Sequence, residues 1–205
     1  LRAAWSGEPV RHDPGRNGFG YVTPLPFEPG GPPIWVGGLS QPALRRAGEL
    51  ADGVMATEVT PEELRAAVQQ AREGAAACGR DPAQLAIGLH LPTLVTEAPA
   101  PWSRVRTLLS YPGWKYDDMD SARGSVGPLR HPAPLSAAAE ARLRETSVTG
   151  TPSEVSDRIQ EYAEAAGGAL HFVARSYLPG QDHESRLAAL DGLAEVRRLL
   201  PSDPS

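Results

Sequence analysis

Two residue types are nearly missing from this 205-residue chain, which has one cysteine, Cys78, and one lysine, Lys115. A single thiol forms no internal disulfide, so the composition fits a reducing compartment and predicts a cytoplasmic protein. The scarcity of lysine beside many arginines, with abundant Ala, Gly and Pro, reads as a coding bias rather than a functional signal. Positive charge is also short. The net charge is −5 and no basic stripe is visible, which argues against nucleic acid as a partner. No apolar run approaches the ~20 residues of a membrane span, and no basic segment leads into an apolar one as in a signal peptide. A membrane partner is therefore not expected. Cys/His pairs at zinc spacing, His-Glu-x-x-His and Gly-x-Ser-x-Gly do not occur. Asp117, Asp118 and Asp120 lack the spaced glycine and terminal glutamate of a calcium loop, and read as a solvated acidic turn. His12, His131 and His183 lie in polar surroundings and read as surface residues. No metal ligand is assigned.

A hydrophobic content of 40% is enough for a real core, and the length suits one domain or part of a larger one. The most informative segment is Pro32-Pro33-Ile34-Trp35-Val36-Gly37-Gly38-Leu39-Ser40, followed by Ala51-Asp52-Gly53. Residues 34–36 read as a buried strand, the two glycines as its end, and Ser40 as the N-cap of a helix over 40–50. A strand, a glycine turn and a helix N-terminus together form an anion cradle, because unpaired N–H groups and the helix dipole both favour negative charge.

The rest of the chain alternates in the same way. A strand at 53–56 leads to a helix at 61–78, which Thr60, Pro61 and Glu63 open as a capping box. The strand at 85–95 is the longest apolar stretch, with Pro92 expected to limit pairing in its second half. A helix over 136–145 precedes a second capped helix that begins at Thr151 and Glu154. A last strand at 170–174 leads to a helix at 184–200, whose Leu187, Leu190, Leu193, Val196 and Leu200 are expected to face inward. Four βα units in alternation call for an α/β fold with a parallel sheet covered by helices. Residues 1–8 read as the end of a helix. Residues 9–33 are a hairpin-like excursion, with Phe19, Tyr21 and Val22 as its strand. Residues 97–136, rich in proline and carrying Trp102, Tyr111, Trp114 and Tyr116, form an insertion: either a lid or a helical excursion with its own small core.

The ordered series is similar to a known family. The helix end with Trp5 comes first, then Pro32-Pro33-Ile34-Trp35-Val36-Gly37-Gly38 and Ala51-Asp52-Gly53. Cys78-Gly79-Arg80-Asp81-Pro82, Gly150-Thr151-Pro152 and His171-Phe172-Val173 follow. Together they resemble the carboxyl-terminal part of the bacterial luciferase-like monooxygenase family, nearest the branch that uses a deazaflavin, coenzyme F-420. The resemblance covers nearly the whole chain and is weakest over 97–136. It implies a TIM-type (β/α)8 barrel, a deazaflavin or FMN at its carboxyl face, and hydride transfer or oxygenation of a small organic substrate. Val54 stands where the family usually carries an aromatic, and Pro14 interrupts the stretch before the hairpin. A whole barrel takes about 250 residues, and only the last four βα units are recognised here. The expectation is therefore a fragment or a truncated gene product, inactive alone, whose inner face is covered by an amino-terminal half-barrel or a second copy.

In such barrels the working residues lie at the carboxyl ends of the strands. Gly37, Gly38, Leu39, Ser40 and Gln41 are the candidate cofactor-phosphate site, against the alternative of a plain tight turn. Thr57 and Glu58 follow the second strand, where Glu58 would orient substrate, act as a base, or simply be solvated. His90 is either a satisfied strand histidine or a substrate-facing one. Arg175 would bind a phosphate or carboxylate, or pair with a neighbouring acid, and Tyr177 would line the pocket. No catalytic acid or base is assigned, since the resemblance puts those groups mostly in the half not recognised here. Two rival readings stand beside this one: a truncated, non-catalytic flavin- or phosphate-binding half-barrel that self-assembles, and a small open α/β sheet unrelated to luciferases.

Overall fold

The computed structural model of the chain describes residues 2–11, 19–98, 102–103, 105–111, 136–178 and 181–201. Pro14, His12, His131, Trp114, Tyr116 and the acidic turn at 117–120 lie outside them. The chain opens with α1 (Arg2–Trp5) and a two-residue antiparallel pair, β1 (Val10–Arg11) with β2 (Phe19–Gly20). Tyr21 and Val22 extend beyond that pair and are exposed. Then come β3 (Trp35–Gly37), α2 (Gln41–Leu50), β4 (Gly53–Thr57), α3 (Pro61–Ala77) and β5 (Ala86–Val95). After the insertion follow α4 (Ala137–Glu145), β6 (Val148–Gly150), α5 (Pro152–Ala166), β7 (His171–Arg175) and α6 (His183–Leu199).

The four strands read from the sequence form a parallel sheet in chain order, β3-β4-β5-β7. The helices between them start where the sequence marks them. Thr60 and Glu63 exchange both bonds of a capping box at α3, and Thr151 and Glu154 do the same at α5. α5 ends at Gly167, whose φ of 84° is the left-handed stop that glycine takes without strain.

Because side chains alternate along a strand, each strand sends one set to each face. Val54, Ala56, Ile87, Leu89 and Leu91 go to the helix side and are fully buried with Leu44, Ala47, Leu64, Val155 and Tyr162. Each large aliphatic chain removed from water there contributes about 1.5–3 kcal/mol. Tyr162 is the one bulky polar residue in this layer, and its hydroxyl donates to the Val59 carbonyl at 2.8 Å. The other face carries Trp35, Gly53, Met55, Thr57, Gly88, His90, His171, Val173 and Arg175 and, at the tip of β5, Leu94, which Val105 and Leu109 of the insertion cover; Thr57, His171 and Val173 are exposed.

On that second face the Trp35 ring lies over glycines. A Cβ at Gly53 would stand 2.7 Å from the ring, and one at Gly88 2.8 Å from it. The ring meets His171 edge-on, with centroids 5.3 Å apart. The Ala51-Asp52-Gly53 motif thus has two structural duties. Gly53 makes room for Trp35, and the Asp52 carboxylate holds the start of β3 by accepting the Ile34 N–H at 2.7 Å. One Arg2 nitrogen, Nη2, also donates to both Asp52 carboxylate oxygens, at 2.6 Å to Oδ1 and 2.7 Å to Oδ2, which ties α1 to the sheet. That Ile34 bond, helped by Arg2, holds the Asp52 carboxyl below its ordinary range.

Three expectations change. Pro92 does not limit the pairing of β5, which is hydrogen-bonded to β4 up to His90, to β7 through Pro92, and to β6 from Thr93 to Val95. The N–H and C=O of one residue point to the same side of a strand, so proline deprives only one neighbour of a donor. Strand β6 was not expected at all. The inward face of α6 is as expected at Val196, which is buried, and at Leu193 and Leu200, which are half-buried, but not at Leu187 and Leu190, which are 48% and 57% exposed; Ala189 is buried instead and Gly192 lies on Val95. The helix presents its small residues to the sheet and α5, because close approach there leaves no room for leucine.

The described part of the insertion is helical at 102–103 and 105–111. Its Val105 and Leu109 join Leu94 and Leu178 in a second apolar cluster beside Trp102 and Leu143. The Trp102 indole donates to Glu140 at 2.7 Å, and Arg144 covers its ring at 5.4 Å. The described part thus shares a second, smaller core with Leu94 at the tip of β5, with Leu178 and with α4.

Candidate functional site

All the candidate residues leave the sheet at one edge, the carboxyl ends of the parallel strands. Gly37 closes β3, Thr57 closes β4 and Arg175 closes β7, while His90 stands in register between Thr57 and Val173. Residues 117 apart in sequence meet there only because the parallel topology returns every strand in the same direction.

At the first strand end the chain turns into α2 through Gly38, whose φ of 124° excludes an ordinary side chain. Residues 37–41 are all exposed. A Cβ at Gly37 would meet nothing within 4 Å, so no protein contact demands glycine there. Ser40 is the N-cap by position, yet its hydroxyl makes no capping bond and Pro42 occupies the first turn. The cradle thus has open space above Gly37, a hydroxyl not spent on the helix, and the positive end of a ten-residue helix dipole. These features fit a phosphate group.

At the other strand ends the structure brings Glu58, His90 and Arg175 together. Arg175 donates through Nη2 to Glu58 Oε1 at 3.1 Å. Among the described residues its Nε, which is buried, has no partner. Glu58 has a φ of 51°, a left-handed conformation that costs a non-glycine residue about 1–3 kcal/mol and is found preferentially at functional sites. Arg142 holds it there, donating to the Glu58 carbonyl at 2.8 Å and to Glu63 Oε1 at 2.9 Å. Sequence reading missed Arg142, because nothing local marks an arginine on α4 as the tie between β4, the α3 cap and the insertion. Burial lowers the His90 imidazole below its ordinary value; the Arg175 charge adds to this and Glu58 opposes it. The ring is therefore neutral near pH 7. Tyr177 is 67% exposed and lies against Arg186, whose guanidinium is 4.6 Å from the ring centroid, so it stands outside the Glu58–His90–Arg175 group.

A cavity of about 610 Å³ lies at the opposite end of the strands, bounded by Arg72, Leu85, Ala86, Gly167 and His171. Among the described residues no three His, Cys, Asp or Glu side chains converge as a metal site. No described helix is long and apolar enough to cross a membrane.

The family model described as luciferase-like monooxygenase matches residues 1–169. A 5,10-methylenetetrahydromethanopterin reductase from Methanolobus tindarius is 32% identical over 90 residues, 44% of this chain and 27% of that protein. Among solved structures, the coenzyme F-420-dependent tetrahydromethanopterin reductase of Methanopyrus kandleri superposes with a TM-score of 0.68 at 18% identity, over 98% of this chain and 60% of that one. The FMN complex of the oxygenating constituent of 3,6-diketocamphane monooxygenase from Pseudomonas putida gives 0.62 at 17% identity, over 98% and 60%. The chain thus spans about a quarter of the reductase it matches in sequence and about 60% of these structures.

Proposed function

The chain belongs to the luciferase-like monooxygenase family, and on that premise we propose that it is the carboxyl-terminal part of a cytoplasmic oxidoreductase that works with a deazaflavin, coenzyme F-420, or with FMN. The observation that carries this is the cradle at Gly37 to Gln41, open, glycine-built and set at a helix N-terminus on the carboxyl edge of a parallel sheet. The backbone there would hold the cofactor phosphate and the Ser40 hydroxyl would donate to it. Thr57, Glu58, His90 and Arg175 would line the substrate side, with Tyr177 at its rim. When bound, the flavin or deazaflavin supplies the redox chemistry, and the protein supplies binding and orientation. The M. kandleri reductase favours F-420, and the P. putida structure favours FMN.

Cofactor fluorescence titrations of the full chain test this. One of the two cofactors is expected to bind, and Gly38→Val to abolish binding, because valine cannot adopt the φ at Gly38. Binding of neither cofactor, or unaltered binding by the Gly38→Val chain, would sink the reading.

A second reading is supported by the exposed part of the second face of the sheet, where Val173 is 43% exposed beside Trp35 and His171. That face would be covered by an amino-terminal half-barrel or a second copy of the chain. Sedimentation velocity separates a self-pairing half-barrel, which runs as a dimer, from a chain that stays monomeric.

A further inference from the structure

We propose that Arg175 receives an anionic group of the substrate, a carboxylate or a phosphate, and that Glu58 fills that place internally until the substrate arrives. This rests on the reading of the strand ends as the substrate side of the site.

The guanidinium offers five N–H donors in a rigid fork suited to two parallel bonds with one oxyanion. Glu58 uses it poorly. Among the described residues one bond is made, at 3.1 Å, longer than charge-assisted bonds usually are, and the buried Nε has no acceptor. The Arg175 side chain is 21% exposed and that of Glu58 52%. The arginine is therefore set in the protein while its acid is half in water. Arg142 fixes the Glu58 backbone through the carbonyl and leaves the Glu58 carboxylate out of that contact. The carboxylate can swing away without moving the loop. His90, on the same face, has its protonation disfavoured by burial and by the Arg175 charge, so it does not compete with Arg175 for the anion. Arg142, which holds the Glu58 carbonyl, is itself bonded to Glu63 at 2.8 Å. One cation with unused donors, weakly covered by a movable acid, is the arrangement of a displaceable partner. A permanent ion pair would take both arms of the fork.

The test is a side-chain NMR titration of the full chain with sodium phosphate and, separately, sodium succinate, against sodium chloride at equal ionic strength. The Arg175 Nε–H signal reports this site and the Gly38 amide reports the cradle. One or both oxyanions are expected to shift the Arg175 signal beyond the chloride control, and the stronger of the two identifies the class. Glu58→Gln is expected to tighten that binding about two- to fivefold, the worth of an exposed ion pair. Arg175→Lys, which keeps the charge and loses the fork, weakens it. An Arg175 signal that follows chloride equally overturns the proposal, as does unchanged or weaker binding in Glu58→Gln, which would make Glu58 a support for Arg175. A silent Gly38 amide beside a responding Arg175 would instead remove the cradle reading and leave this one standing.

Discussion

Replacing Gly48 by alanine sets two effects of opposite sign against each other. Gly48 lies inside α2, where glycine is worth about 1 kcal/mol less than alanine, so propensity alone makes the change stabilising. The structure says otherwise. A Cβ at Gly48 would stand 2.0 Å from the Ala71 carbonyl oxygen and 2.6 Å from the Ala75 nitrogen. A Cβ at Gly74, on the facing helix, would stand 2.8 Å from the Arg45 carbonyl oxygen. The two helices cross backbone on backbone, so no side chain can rotate away and α2 must retreat by more than an ångström. Overpacking of this kind costs about 1–3 kcal/mol, and contact with backbone atoms puts Gly48→Ala at the upper end. Against the propensity gain, the net loss is about 2 kcal/mol. With a urea slope near 2 kcal/mol/M, the midpoint should fall by about 1 M. The retreat also tilts the helix whose first turn forms the cradle, so the Gly38 amide signal should move in the folded state. A midpoint that rises or stays put would show that the crossing is not this close in solution, and would remove the argument that α2 holds the cradle in place.

Two further outcomes follow from the same geometry. The His90 titration midpoint should lie below the ordinary 6.5, Arg175→Gln should raise it and Glu58→Gln should lower it further. As a histidine with a depressed folded-state value, it contributes stability that is fully present above pH 6.5 and is lost as pH falls below it, because the unfolded chain takes up the proton first. NMR titration of the ring gives the midpoint; a value above 6.5 contradicts the burial described. In α6, Leu190→Glu should alter stability by no more than about 0.5 kcal/mol, as for a solvent-facing position, whereas Val196→Ala should cost more than 1 kcal/mol. Equal, large losses in urea denaturation would restore the inward leucine face.

The parts legible in the sequence are those whose cause is local. Thr60 with Glu63 and Thr151 with Glu154 carry their whole explanation within four residues, and both capping boxes form as read. The four parallel strands follow from apolar runs ended by turn residues. Strand β6 was not legible because three residues, Val148 to Gly150, pair only where the tip of β5 offers an unused edge. Leu187 and Leu190 of α6 were misplaced because leucine spacing marks an apolar stripe without saying whether close approach admits leucine or only Ala189 and Gly192. At the site, the strand-end residues could be named from the sequence, but their connections could not. The Arg175–Glu58 pair spans 117 residues and the Arg142–Glu58 bond 84, distances over which no pattern in the sequence carries information.

The ring of Trp35 touches His171 although two strands, β4 and β5, separate their own strands. It reaches that far because Gly53 and Gly88 put no side chain of their own beneath it. A side chain that bridges the first and fourth strands acts as a spacer bar. It sets how tightly the sheet curls, and with it how far apart the cradle and Arg175 are held. The span that a bound molecule must bridge between those two points is thus tied to the length of one indole and the absence of two methyl groups.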